Sequence, residues 1–175
     1  MEEINTDRLV LRGFRDEDAD DLFEFLYQLR DDEFEGYPGI TRQNCEKQLA
    51  CRVGSDEYYA IQLKETGKVI GNIYLGNRDY NTKETGYIIN ENYRRRGYAL
   101  EALTAVINQA FSSGVHRIYA ECDPRNTRSV MLLEKAGLRR EAHMRRTVYF
   151  HKDANGDPIW KDTYVYAVLD TEFDK

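Results

Sequence analysis

A short basic segment offers the clearest chemistry in this sequence. It consists of Arg94, Arg95, Arg96, Gly97, Tyr98 and Ala99. Apolar patterning predicts a buried strand that ends at Ile89 before it and an amphipathic helix from Leu100 after it. The first N–H groups of a helix lack intrahelical partners and its dipole favours negative charge there, so the segment predicts an anion site. Gly97 has no side chain and lets a phosphate approach the backbone.

The spacing within this segment excludes two familiar nucleotide-binding motifs. A Walker-type loop needs a longer glycine spacing followed by Lys and Ser or Thr, and the dinucleotide fingerprint needs more than one glycine. Three consecutive arginines are also common on a solvated surface, so the segment alone leaves that interpretation open.

A second segment with distinctive residues at helical spacing follows a predicted strand over residues 115–122. Its marked positions are Asn126, Ser129, Leu132, Lys135 and Gly137. Asn126 comes directly before a predicted helix that starts at Thr127, where Asn commonly caps the free backbone N–H groups. Gly137 is expected to end that helix.

Together the two segments resemble the GNAT superfamily of acetyl-CoA-dependent N-acetyltransferases. In that family Arg/Gln-x-x-Gly-x-Gly/Ala binds the CoA pyrophosphate, and Asn-x-x-Ala/Ser-x-x-Leu-x-x-Lys-x-Gly-Phe follows on the next strand and helix. Leu138 replaces the Phe here. The stretch from Thr6 to Ala19 resembles the opening of the RimJ/RimL branch, the protein and ribosomal-protein N-terminal acetyltransferases. The resemblance covers nearly the whole chain.

The resemblance implies a site for acetyl-CoA as a co-substrate. Backbone amides of the basic segment would hold the pyrophosphate, and the strand before it would pair with the pantetheine arm through backbone groups. The implied cofactor-binding residues are Ile88, Ile89, Arg94, Arg95, Arg96, Gly97, Tyr98, Ala99, Asn126 and Ser129. The side chains of Ile88 and Ile89 are expected to pack in the core.

The resemblance also implies catalytic residues. In the RimL-like branch a serine at the position of Ser129 is thought to protonate the leaving thiolate, and some superfamily members place a catalytic carboxylate on the strand that carries Glu84. Many members use a tyrosine as general acid where this chain has Leu133, so Ser129, another tyrosine or bound water would have to serve. The alternatives are a surface serine and an exposed glutamate at the start of a strand.

Residues for an amine acceptor are implied near the first two helices and the last hairpin. The run from Asp31 to Glu35 is acidic and would attract a cationic amine. Glu33, Glu35 and Trp160 are therefore predicted to bind the acceptor, and a solvated loop is the alternative explanation of the acidic run. The expected acceptor is a peptide or protein N-terminal amine. A polyamine or aminoglycoside, and an acetyl-CoA-binding module without turnover, are the competing hypotheses.

Composition restricts the remaining classes of function. The chain has 175 residues and a net charge of −6, which favours one folded domain over 1–175 and argues against general nucleic-acid binding. The sequence contains no apolar run long enough for a membrane span. Three cysteines and three isolated histidines lack metal-site spacing, so no metal is expected and a cytoplasmic location is predicted. A homodimer is left open.

Periodicity and resemblance together predict the fold. The order of elements is β-α-α-β-β-β-α-β-α-β-β, with Asp16 or Asp18 capping the first helix and Thr41 opening the second. The resemblance implies the α/β (α+β) GNAT fold, a central mixed, mostly antiparallel and strongly twisted sheet. About seven strands and four or so helices are expected from the pattern. In this fold a splayed pair of strands holds acetyl-CoA.

Overall fold

One mixed sheet organises the computed structural model, which describes residues 1–34 and 39–173. Its strands are β1 (Ile4–Asn5), β2 (Leu9–Gly13), β3 (Tyr58–Leu63), β4 (Val69–Arg78), β5 (Thr82–Ile89), β6 (Arg117–Cys122), β7 (Arg139–Val148) and β8 (Lys161–Leu169). The helices are α1 (Ala19–Gln28), α2 (Arg42–Arg52), α3 (Tyr98–Ser112) and α4 (Thr127–Lys135). Within the described residues the eight strands lie in the order β1-β2-β3-β4-β5-β6-β8-β7.

The predicted fold class and order of elements are confirmed. The sheet exceeds the expected seven strands because Ile4 and Asn5 pair with Leu11 and Val10 at its edge. The pair β5–β6 is parallel, since α3 forms the crossover between them, and the other pairs are antiparallel. No helix in the described ranges combines the length and apolarity needed to cross a bilayer.

Each face of the sheet carries a hydrophobic cluster. Leu103 and Ile107 of α3 are fully buried in one cluster, to which α4 also contributes. Leu22 and Phe25 of α1 and Leu49 of α2 are buried in the other. We call these sides of the sheet the α3–α4 face and the α1–α2 face. Because each helix presents apolar residues at helical spacing, both faces of the central strands are held by packing.

At the first two helices, the prediction that Thr41 opens α2 is confirmed, and the prediction that Asp16 or Asp18 caps α1 is wrong. Thr41 caps α2, and its Oγ1 accepts from the N–H of Asn44 at 3.3 Å. Asp18 precedes α1 without capping it, because its carboxylate accepts from both terminal nitrogens of Arg12 at 2.8 and 2.9 Å. Both side chains are buried, and a buried guanidinium left without a carboxylate would be strongly destabilising.

The parallel pair β5–β6 separates part-way along its length. The two strands pair only from Thr82 to Glu84 on β5 and from Arg117 to Tyr119 on β6. Beyond these residues each strand keeps only its other neighbour, β4 for β5 and β8 for β6. The predicted splayed pair is therefore present, and the space between its diverging halves is called the slot below.

Candidate functional site

The basic segment forms a turn that presents the start of α3. Tyr98 and Ala99 are the first two residues of this helix, directly after Gly97. The backbone φ of Gly97 is 83°, in the left-handed region that favours glycine, and an added Cβ would lie 3.3 Å from Nη2 of Arg8. Conformation and space both favour glycine here, in front of the free N–H groups of the first helical turn.

A side-chain clamp holds this turn from the N-terminal part of the chain. The guanidinium of Arg8 donates to the carbonyl of Arg96 at 2.9 Å and to Glu101 at 2.7 Å. Glu101 also accepts from Oγ1 of Thr6 at 2.6 Å. Burial acts to raise the pKa of Glu101, but the hydrogen bonds from Thr6 and Arg8 lower it. The clamp therefore fixes the Arg96 carbonyl and ties the turn to the N-terminal part of the chain.

The three arginines of the turn differ in their contacts. Arg94 donates from Nε to the carbonyl of Ile89 at 3.0 Å and pairs with Glu91 at 3.0 Å. It therefore ties the turn to the end of β5. Arg95 and Arg96 are exposed, so their positive charge is accessible to a ligand.

Tyr87 and Ser129 meet at the slot on the α3–α4 face. The hydroxyl of Tyr87 on β5 lies 2.6 Å from Oγ of Ser129 on α4. The N–H of Ser129 donates to Oδ1 of Asn126 at 3.2 Å, so Asn126 caps α4 as predicted. The cap and the tyrosine hydroxyl together fix the position of Ser129.

We expect Asn126→Ala to lower the free energy of unfolding by about 1 kcal/mol, because it removes the side-chain acceptor at the N-terminus of α4. Asn126→Asp retains an acceptor and should keep most of that stability. Urea unfolding followed by circular dichroism measures both variants. Equal losses in the two variants would mean that the cap contributes little.

A cavity opens beside Ser129 and is called the inner cavity. Its volume is about 180 Å³. The residues that line it are Phe34, Glu121, Cys122, Asp123, Asn126, Ser129, Val148, Phe150, Lys161, Asp162 and Thr163. A neighbouring space of about 570 Å³, called the outer cavity, shares Asp123, Lys161 and Asp162 with it.

Glu121 brings a carboxylate from β6 into the inner cavity. Ile118 and Ala120 of β6 are buried toward the α3–α4 face, so Glu121 lies on the opposite face at the splayed end of the strand. Its side chain still reaches solvent, but desolvation by the surrounding atoms raises its pKa, and the charge of Glu84 adds to this effect. A carboxylate with a raised pKa is suited to accepting a proton near neutral pH.

The predicted base, Glu84, is engaged by its neighbours. Its carboxylate pairs with the guanidinium of Arg78 and accepts from the hydroxyl of Tyr119 at 3.2 Å. The described residues that line the inner cavity do not include Glu84. Its charge acts on Glu121, whose pKa it raises.

Sequence reasoning missed Glu121 and Tyr87. Strand alternation could have found Glu121, because it is a lone acid between core positions and lies five residues before Asn126. No comparable signal marks Tyr87, which is one of 13 tyrosines. Its partner Ser129 is 42 positions away in the sequence, and only the fold brings them together.

Comparison with known proteins identifies the family. Residues 8–139 match the family described as the acetyltransferase (GNAT) domain. The chain belongs to the GNAT acetyltransferase family. The uncharacterized N-acetyltransferase YnaD of Bacillus subtilis (strain 168) is 30% identical over 97% of this chain and 98% of its own length. The [ribosomal protein uS5]-alanine N-acetyltransferase of Escherichia coli (strain K12) is 28% identical over 94% of this chain and 89% of its own.

A solved structure agrees with this assignment. The acetyltransferase (GNAT family) from Bacillus anthracis superposes with a TM-score of 0.88 at 27% identity, covering 98% of this chain and 100% of that one. The protein is therefore a GNAT N-acetyltransferase, and its resemblance to the RimJ/RimL branch is confirmed by the uS5-alanine relative.

This GNAT enzyme has no tyrosine at the position where many members carry their general acid. Leu133 stands there and is fully buried in the core. Tyr166 is also buried, donates to Glu134 at 3.0 Å and has its pKa raised to about 12, chiefly by burial. Tyr87 is the tyrosine whose hydroxyl contacts Ser129.

The predicted acceptor residues that the structure describes lie at the outer cavity. Trp160 lines it, is 49% exposed, and packs edge-on against Tyr149 with ring centroids 5.3 Å apart. Glu33 lines it as well, and its carboxylate pairs with Arg125 at 3.3 Å. Glu35 falls outside the described residues.

Proposed function

We propose that this N-acetyltransferase transfers the acetyl group of acetyl-CoA directly to the N-terminal amine of a peptide or protein. The slot carries the proposal, because hydroxyl groups and a carboxylate reach it from opposite faces of the sheet. Tyr87 and Ser129 lie on the α3–α4 face, and Glu121 lies on the other. Proton donor and proton acceptor are thus separated by the space that the reacting atoms need.

The start of α3 fits the pyrophosphate of acetyl-CoA. Gly97 leaves the helical N–H groups accessible, and the exposed Arg95 and Arg96 add positive charge beside them. The edge of β5 at Ile88 and Ile89 does not pair with β6, and we assign it to the amide groups of the pantetheine arm. The carbonyl of Ile89 there accepts from Arg94 and has a second lone pair for a ligand. Acetyl-CoA supplies the acetyl group in activated form as a thioester.

Glu121 and Ser129 divide the proton movements. A primary amine arrives largely as an ammonium ion at neutral pH and must lose a proton before its lone pair attacks the acetyl carbon. The carboxylate of Glu121 accepts that proton. As the carbon–sulfur bond breaks, the departing thiolate takes a proton from Oγ of Ser129, which regains one from the hydroxyl of Tyr87. The attacking nitrogen loses its second proton as the amide forms, and this proton returns through solvent to Tyr87. Glu121 gives the first proton to solvent, so the products are the amide, the CoA thiol and one proton.

Ser129→Ala should lower kcat by roughly 10- to 1,000-fold with little change in CoA affinity, because it removes one acid–base group. Tyr87→Phe removes only the second hydroxyl and should cause a smaller loss. Free-thiol release measures kcat, and calorimetry measures CoA binding. An unchanged kcat for Ser129→Ala, where chemistry limits the rate, would remove Ser129 from the mechanism.

Cys122 borders the inner cavity, and its chemistry favours direct transfer over an acetyl-cysteine intermediate. Burial raises the pKa of its thiol to about 11, so the thiol is protonated at neutral pH. The thiolate is the nucleophilic form of cysteine. We therefore expect both substrates to bind before either product leaves, which gives intersecting rather than parallel lines in double-reciprocal kinetics.

The peptide acceptor is supported by similarity to the uS5-alanine N-acetyltransferase and by the volume of the outer cavity, about 570 Å³. The test is thiol release from acetyl-CoA with N-terminal peptides, polyamines and aminoglycosides in parallel. Turnover is expected to be fastest with peptides. Faster turnover of a polyamine or aminoglycoside would show that the acceptor is a small-molecule amine and not a peptide. CoA binding without thiol release in the presence of any amine would show that the protein is a binding module.

A further inference from the structure

A buried cation lies in the cleft beside the slot. Lys161, the first residue of β8, is only 8% exposed and lines both the inner and the outer cavity. Its Nζ donates to the backbone carbonyl of Glu33 and lies 5.9 and 5.8 Å from the ring centroids of Phe34 and Phe150. An ammonium ion has three N–H donors, and the Glu33 carbonyl accepts from one of them.

Lys161 lies on the same face of the sheet as Glu121. Glu121 pairs with Val165 across β6 and β8, and alternation along β8 puts Lys161, Thr163 and Val165 on one side. Glu121 and Lys161 both line the inner cavity of about 180 Å³. That volume is several times what a single water molecule needs, so a small ligand group can enter. A ligand of that size can therefore meet a carboxylate and an ammonium ion at once.

Three of the acidic groups around the cleft, Glu33, Asp123 and Asp162, have side-chain partners within the chain. Glu33 and Asp123 both pair with Arg125, at 3.3 and 2.7 Å. Asp162 contacts the imidazole of His143 at 2.8 Å. A second ammonium group on a ligand, as in a polyamine, would find these carboxylates occupied and would meet the positive charge of Lys161. An uncharged acceptor atom would instead be stabilised there.

We propose that Lys161 binds the carbonyl oxygen next to the reacting amine and so selects α-amines of peptides over polyamines and simple alkylamines. This inference rests on the proposed acetyl transfer at the slot. The amine lies toward Glu121, and the carbonyl of the same residue accepts from the ammonium of Lys161. The positive charge also disfavours the protonated form of the bound amine, which is the form that cannot react.

The first test needs no altered protein. Alaninamide and isopropylamine share a branched carbon that bears a primary amine, and only alaninamide has a carbonyl. We expect the wild-type enzyme to acetylate alaninamide with a kcat/KM at least about tenfold higher per neutral amine, since a hydrogen bond to a charged group contributes on this scale. Equal values would overturn the role of Lys161.

The second test uses Lys161→Met, which keeps an unbranched apolar stem near Phe34 and Phe150. The preference for alaninamide over isopropylamine should fall by about tenfold or more, and turnover of spermidine should rise or stay constant. Lys152→Met removes an exposed cation from the same hairpin and should change neither ratio. Lys161→Arg keeps the charge and should keep the preference, which separates charge from packing.

The outcomes distinguish this inference from the proposed function. Suppose that peptides cause thiol release and that a folded Lys161→Met variant, which binds CoA normally, keeps the wild-type preference for alaninamide over isopropylamine. This result would overturn the role of Lys161 and leave the proposed acetyl transfer intact. A wild-type preference for spermidine would do the same. Absence of thiol release with every amine would overturn the proposed function and the inference with it.

Discussion

Glu121→Gln is expected to lower kcat for amine acetylation by about 100- to 1,000-fold and to leave the affinity for acetyl-CoA unchanged. The glutamine has nearly the same shape but cannot accept the proton of the attacking amine. Glu121 lines the inner cavity, away from the start of α3, so no contact with the pyrophosphate is lost. The loss corresponds to roughly 3–4 kcal/mol of transition-state stabilisation.

The pH dependence sharpens this prediction. Desolvation raises the pKa of Glu121, and the charge of Glu84 raises it further. Because the base works only when deprotonated, kcat should fall as the pH drops through this raised pKa. Glu84→Gln removes the repelling charge, so it should move the acidic limb of the kcat profile to lower pH and preserve most of the rate at neutral pH.

Glu84→Gln is therefore the matched control for Glu121→Gln. Both substitutions remove one carboxylate from the same face of the sheet, on neighbouring strands. Full profiles of kcat against pH, with CoA affinity measured by calorimetry, separate the two roles. A large loss of rate in Glu84→Gln with near-normal turnover in Glu121→Gln would assign the base to Glu84, as the family resemblance implies.

Gly97→Asp is expected to weaken acetyl-CoA binding by at least about tenfold, or 1.4 kcal/mol. The backbone φ of 83° is strained for any L side chain, and the new Cβ would lie 3.3 Å from Arg8. The added carboxylate would also place negative charge where the helix start and the neighbouring arginines attract an anion.

Gly156→Asp is the control for backbone strain. Gly156 has a φ of 88°, and nothing lies within 4 Å of an added Cβ, so the same substitution in the hairpin turn carries a similar conformational cost. Calorimetry with CoA and thermal unfolding should be run on both variants. A folded Gly97→Asp variant with normal CoA affinity would contradict the proposed cofactor site at the start of α3.

Local patterning predicted most of the elements of the fold. Helical spacing located α3, and the cap at Asn126 was visible because capping depends on neighbours within one turn. The prediction for Asp18 was wrong because Arg12, on β2, binds its carboxylate. Both side chains are buried, so the ion pair is favoured over a hydrogen bond to the helix backbone. The edge strand at Ile4 and Asn5 has two residues, too few to show the alternation of apolar and polar residues that predicts a strand.

The sequence by itself determined the family and the order of elements, and it predicted the turn before α3, because these depend on residues close together in the chain. Only the tertiary structure decided which groups surround the slot. It brought Tyr87 to Ser129 and buried Lys161 beside Phe34. It also engaged Glu84 with Arg78 while raising the pKa of Glu121. Hydrogen-bond partners and desolvation arise from contacts between distant parts of the chain, so no local pattern encodes them.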